Sequence, residues 1–210
     1  MVYAASAELV QDFTTDRAQA VAAIEKASKM KASEMKGGEE AYFNEAVFQA
    51  SMQLEKGQNP KTRRAIIWLT DNVPNIPNDK IHSEEEAFHE AFVTGAVISA
   101  LLERSAFSDF ALATFAKNPI WAGSRSHHPP GNVHKYAEKT GGAVMKSSKK
   151  EISSKLAQLI DEIRTQYTLG YYPSVKQPKD KFCEIKVQVS AEAQKREGAL
   201  LVRTKAGYYR

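Results

Sequence analysis

An apolar run that ends in an acid, Ala65-Ile66-Ile67-Trp68-Leu69-Thr70-Asp71, constrains this chain more than any other feature. Arg63 and Arg64 precede it, and Asn72-Val73-Pro74-Asn75 follows. The run has the length and branching of a strand buried on both faces, and such strands belong to parallel sheets with helices on either side. A second continuous run, Ala96-Val97-Ile98-Ser99-Ala100-Leu101-Leu102, has the same character. An acid at the carboxyl end of such a strand stands at the rim where these sheets bind ligands. A helix N-cap or a turn would suit Asp71 as well, because Asp favours both places.

The rest of the chain reads as alternating elements. Leu9 to Phe13 predicts a short strand, and Thr14-Thr15-Asp16 an N-cap for a helix with Val21, Ile24 and Ala27 on one face. A second helix starts near Glu39 or Glu40 and carries Phe43, Val47, Ala50 and Leu54. Ser83-Glu84-Glu85-Glu86 is a capping box ahead of a helix to about Val93. Asp109 to Ala116 predicts a helix, and Asn118 to Asn132 a long loop with three prolines. Val133 to Glu138 predicts a helical turn and Ala143-Val144-Met145 a short strand. Ser148-Lys149-Lys150-Glu151 is a second capping box, before a helix with Ile152, Leu156, Leu159, Ile160 and Ile163. Tyr167 to Pro173 reads as strand-like. Two alternating stretches, Phe182 to Val189 and Leu200 to Lys205, predict an antiparallel pair with one wet face. The organisation is α/β over residues 1–166, followed by a β-rich extension over 167–210 that packs on or continues the same domain.

Composition narrows the function classes. Hydrophobic residues make up 42% of the 210 residues, enough for a real core. The net charge of +4 is a mild excess, and Lys26, Lys29, Lys31 and Lys36 are interleaved with Glu25 and Glu34. A nucleic-acid footprint needs a concentrated basic stripe, so nucleic acid is not the expected partner. Cys183 is the only cysteine, so no intrachain disulfide forms, and its strand context predicts a small buried apolar residue. No apolar stretch approaches the roughly 20 residues of a membrane-spanning helix, and the first residues do not read as a signal peptide.

Several segments together resemble a von Willebrand factor A domain, in the variant common in Acidobacteria and related bacteria. They are Leu9 to Arg17, Arg64 to Asp71, Tyr136 to Gly142, Ile163 to Pro173 and Lys205-Ala206-Gly207-Tyr208-Tyr209. The resemblance implies a doubly wound, mostly parallel α/β sheet. Family members hold a divalent cation, usually Mg²⁺, at the top of the sheet, and a partner protein completes its coordination. The family's ligands are a D-x-S-x-S run after the first central strand, a threonine in a loop, and an aspartate after a later strand. Asp71 matches the aspartate. No D-x-S-x-S occurs, and Gly37-Gly38-Glu39 places Glu39 where the threonine is expected. Glu39, with Glu40 and Glu45 nearby, could supply oxygen, although acids at a helix start are favoured by the backbone dipole in any case. The chain begins where the family's second strand would be ending, so the resemblance implies a sheet lacking its first strand and having an exposed edge.

The expectation is therefore a non-enzymatic module for protein or ligand binding, with an incomplete metal site that holds Mg²⁺ weakly or not at all. The resemblance places full-length relatives outside the cytoplasm. Two other classes compete. A hydrolase would use Ser124 or Ser126 with His127 or His128, but Gly123-Ser124-Arg125-Ser126-His127 lacks the second glycine of a nucleophile elbow. His127, His128 and His134 suit zinc only if carboxylates or thiols converge on them. His82 and His89 flank a capping box, read as surface residues, and are too far apart for a helical zinc pair. A nucleic-acid-binding relative of the fold is the third class. Tyr167, Tyr171, Tyr172, Tyr208 and Tyr209 offer a binding face or, as is commoner in strands, packing.

Overall fold

Three parallel strands form the centre of the molecule, in the order β3-β4-β5: β3 is Ala65–Thr70, β4 Val97–Glu103 and β5 Val144–Ser147. The computed structural model describes residues 1–4, 6–36, 42–57, 62–72, 82–103, 133–174 and 178–209. The register is continuous, with Ala65 beside Val97 through Thr70 beside Leu102, and Ala100 beside Val144. Around the sheet lie β1 (Val2–Tyr3), β2 (Ala7–Glu8), α1 (Arg17–Lys29), α2 (Phe43–Glu55), α3 (Glu84–Thr94), α4 (Val133–Thr140) and α5 (Ile152–Thr165). The C-terminal extension adds β6 (Phe182–Glu184), α6 (Ala191–Glu197) and β7 (Gly207–Tyr209). The result is an α/β sheet flanked by helices, compatible with a Rossmann-like fold. Among the described residues no helix is long and apolar enough to cross a membrane.

The two faces of β3 explain the two layers of core. Side chains alternate along a strand, so even and odd positions serve opposite faces. Trp68 joins Phe43 and Val47 of α2, Phe88 and Phe92 of α3, and Val133 and Tyr136 of α4 in the larger core. Ile67 lies against the smaller core of Leu101, Ala143 and Leu159, which α5 covers. The paired arginines before β3 follow the same alternation. Arg64 donates to the carbonyl of Thr94 at 2.8 Å, at the end of α3. Arg63 donates to the carbonyls of Ile163 and Gln166, at the end of α5 on the other face. Each guanidinium closes the electronegative end of one helix.

Local signals set the helix ends. Asp16 Oδ1 accepts from the backbone N–H groups of Ala18 and Gln19, at 2.7 and 3.3 Å. Ser83 and Glu86 form the reciprocal capping box expected of them. Gly95 ends α3 in the left-handed conformation, at φ 73°. Gly142 permits the closest approach in the fold, since a Cβ there would sit 1.9 Å from the carbonyl oxygen of Ile98.

Several expectations from the sequence need correction. Leu9 to Phe13 is not a strand; the pairing lies earlier, between Val2–Tyr3 and Ala7–Glu8. Leu9 and Phe13 stay exposed, while Asp12 takes a hydrogen bond from Gln53 of α2. Tyr167 to Pro173 belongs to no strand among the described residues, and its side chains are largely exposed. Of Phe182 to Val189, only the first three residues join a ladder, because Ser190 then caps α6. Their partner is Gly207–Tyr209 rather than Leu200 to Lys205. The tail is pinned first: Ala206 N–H donates to Lys139 O at 2.8 Å, and Lys205 Nζ donates to Gly95 O at 2.6 Å. That anchoring sets the residues after it beside β6. Cys183 is half-buried rather than buried, since among the described residues its short strand pairs with β7 alone. Ser148 and Glu151 make half of a box. The Glu151 carboxylate accepts from Ser148 N–H and Oγ, but Glu151 N–H goes to the Ser148 carbonyl at 2.9 Å. The predicted helix Asp109 to Ala116 and loop Asn118 to Asn132 lie outside the described residues.

Candidate functional site

The carboxyl end of β3 is built by three consecutive residues. Thr70 is buried, and its Oγ1 accepts from the Tyr3 hydroxyl at 3.0 Å and from Asn72 N–H at 3.0 Å. Asn72 takes φ 54°, a left-handed conformation that asparagine adopts more readily than most residues. Its side chain turns inward, and Oδ1 accepts from Val133 N–H at 3.4 Å, at the start of α4. The chain between these anchors presents Asp71 to solvent at the rim of the sheet.

The amino ends of α2, α3 and α4 surround this end of the sheet. Phe43, the first residue of α2, packs edge-on against Tyr3 and Trp68, with ring centroids 5.7 and 5.0 Å away. Tyr136 of α4 donates its hydroxyl to Asn44 Oδ1 at 2.8 Å. Lys135 pairs with Glu84, and Lys135 and Lys139 both lie over the Phe88 ring. At the end of β4, Glu103 faces Lys149 at 3.7 Å. Burial pushes the Tyr3 phenol up to about 12, with Asp71 adding to the rise and the contacts to Thr70 and Trp68 opposing it.

Beside these groups lies a pair that the sequence did not single out. Glu45 is buried and accepts from Gln49 Nε2 at 3.0 Å, while its other oxygen contacts His82 Nδ1. The His82 ring lies flat on Phe48, with centroids 3.6 Å apart and planes 11° apart. Glu45 is thus neither a free oxygen donor nor a simple helix-start acid, and His82 is half-buried rather than a surface residue. The apolar neighbours Val47 and Phe48 were the only signal for this burial. His89 is exposed on α3, with its ring 4.3 Å from that of Tyr209, and His134 lies exposed on α4.

A hard divalent cation such as Mg²⁺ needs about six oxygen ligands in octahedral array. At this rim Asp71 offers one carboxylate. The neighbouring oxygens Thr70 Oγ1 and Asn72 Oδ1 are committed to backbone N–H groups. Among the described residues, no three His, Cys, Asp or Glu side chains gather as a metal group. Among the described residues this rim by itself does not supply that array. Glu39 and Glu40 lie outside the described residues, as do Ser124, Ser126, His127 and His128. Comparison with protein-family models, with curated proteins and with solved structures finds no match.

Proposed function

We propose that this chain is a non-enzymatic protein-binding module of von Willebrand A type, doubly wound, whose metal-dependent adhesion site is degenerate. The observation that carries this reading is the position of Asp71, exposed directly after a parallel strand and held there by the inward-turned Thr70 and Asn72. Ligands of open α/β sheets bind outside the carboxyl ends of the strands. With no cation between them, the exposed Asp71 carboxylate repels an incoming carboxylate. The partner that suits it is therefore a protein presenting a basic side chain or a cluster of hydrogen-bond donors, in contrast to the acidic ligands of metal-loaded relatives.

Isothermal titration tests the metal half of this reading. Mg²⁺ and Mn²⁺ should bind no tighter than roughly millimolar, the weakest class of carboxylate site. Micromolar binding that disappears in Asp71→Asn would sink it. A gel shift in low salt separates the module from a nucleic-acid binder, since retarded DNA or RNA that is released by added salt would favour the latter.

A further inference from the structure

We infer that two copies of this chain pair through the outer edge of β3, antiparallel, with a two-fold axis at Ile67. This inference concerns the edge of the sheet and does not rest on the binding role given above to its rim. Among the described residues β3 ends the sheet, with β4 on one side and no strand on the other. Natural edge strands are guarded by lysine, proline, a bulge or an inward charge. Ala65–Thr70 carries none of these, and its six-residue register with β4 is unbroken. Leu69 is 53% exposed. Helix α5, on its face of the sheet, packs chiefly on β4 and β5.

The hydrogen bonds fix the register. Arg64 O accepts from Val97 N–H at 2.9 Å, so the backbone groups of Arg64 point toward β4. By alternation those of Ile66, Trp68 and Thr70 also point inward, and those of Ala65, Ile67 and Leu69 point out. An antiparallel partner must align its outward residues with these. Centring the axis on Ile67 does so with the longest overlap. Ile67 then meets the partner's Ile67, and Ala65 meets the partner's Leu69, covering its exposed side chain. One step further out, Arg63 stands opposite the partner's Asp71, twice by symmetry. The strand is thus apolar along its middle with opposite charges at its two ends, which suits a copy of itself in this orientation.

Sedimentation velocity from low micromolar to several hundred micromolar should show a monomer–dimer equilibrium. Leu69→Lys should abolish it while leaving circular dichroism unchanged. Asp71→Arg, which sets like charges together at both ends, should weaken it by about tenfold. The register is tested in a Cys183→Ser background. Ile67→Cys should cross-link on mild oxidation, because hydrogen-bonded antiparallel partners lie about 5.5 Å apart at Cα. Leu69→Cys should not, since its two copies would stand roughly 14 Å apart. A monomer at every concentration would overturn the inference. So would a dimer that tolerates Leu69→Lys, or cross-linking through Leu69→Cys in preference to Ile67→Cys.

Discussion

At the scale of single residues, Trp68 and Tyr3 carry the most testable chemistry. Trp68 is 6% exposed and touches the rings of Tyr3, Phe43 and Tyr136. Trp68→Ala should cost about 3–5 kcal/mol in urea unfolding, the usual range for deleting a large core aromatic. A cost below about 1 kcal/mol would mean that the larger core is not organised around it. Tyr3 gives a pH prediction. Its phenol is raised from 10.0 to about 12 in the fold, so the neutral form is favoured when folded. That stabilisation is complete below pH 10 and is lost as pH rises toward 12, amounting to at most about 3 kcal/mol. Tyr3→Phe should flatten this alkaline loss, and absorbance titration should show one fewer late-ionising tyrosine in Tyr3→Phe than in the parent chain, where Tyr208 is raised as well. An identical alkaline loss in both proteins would refute the assignment. The sequence marked Trp68 through its place in an apolar run, but Tyr3 carried no signal. Its role comes from a contact across 67 residues, to Thr70.

At the scale of elements, the sequence was legible wherever local chemistry decides and illegible where a partner decides. The Ser83–Glu86 box reads directly from residue types because both halves lie within one turn. Ser83→Ala should lower stability by about 1 kcal/mol, seen as a lower melting temperature. The strand that leads to Asp71 was legible because five apolar residues in a row, Ala65 to Leu69, suit a strand of a parallel sheet, although Leu69 stays exposed. Asp71 lies at the rim, but the burial of Glu45 against His82 depends on α2 meeting the start of α3, and no spacing rule reports that. The alternating stretch Leu200 to Lys205 failed as a strand because alternation states which face is wet and says nothing of which strand lies beside it. Gly142 lets the link between α4 and β5 lie against the backbone of β4. Gly142→Ala should therefore destabilise by several kcal/mol, well beyond the roughly 0.5–1 kcal/mol typical of a compatible glycine change. A neutral or stabilising effect in denaturant unfolding would show that the backbone yields at that contact.

At the scale of the whole molecule, stability is concentrated around the sheet and thins toward both ends of the chain. Strand β4 is buried along nearly all its length, with helices on both faces. The C-terminal segment is held by Lys205, Ala206 and the packing of Phe182 and Tyr209 against Phe92, so it belongs to the main body despite its short ladder. Helix α1 is the opposite case. It has a sound N-cap and two lysines in its last turn, yet it buries no residue, and Val21 and Ile24 are exposed. Its amphipathic face was legible, but what that face should meet was not, because periodicity names a stripe and not its partner. A helix of 13 residues that buries no side chain fully is marginal in water. Hydrogen–deuterium exchange should therefore rank these elements. Amides of α1 should exchange within seconds to minutes, while those of β4 persist to the limit set by global unfolding. Raising the protein concentration to favour the β3-paired dimer should slow exchange at Ala65, Ile67 and Leu69 and leave α1 fast. Protection of α1 equal to that of β4 would contradict this ranking and would mean that the Val21–Ile24 face is covered in solution.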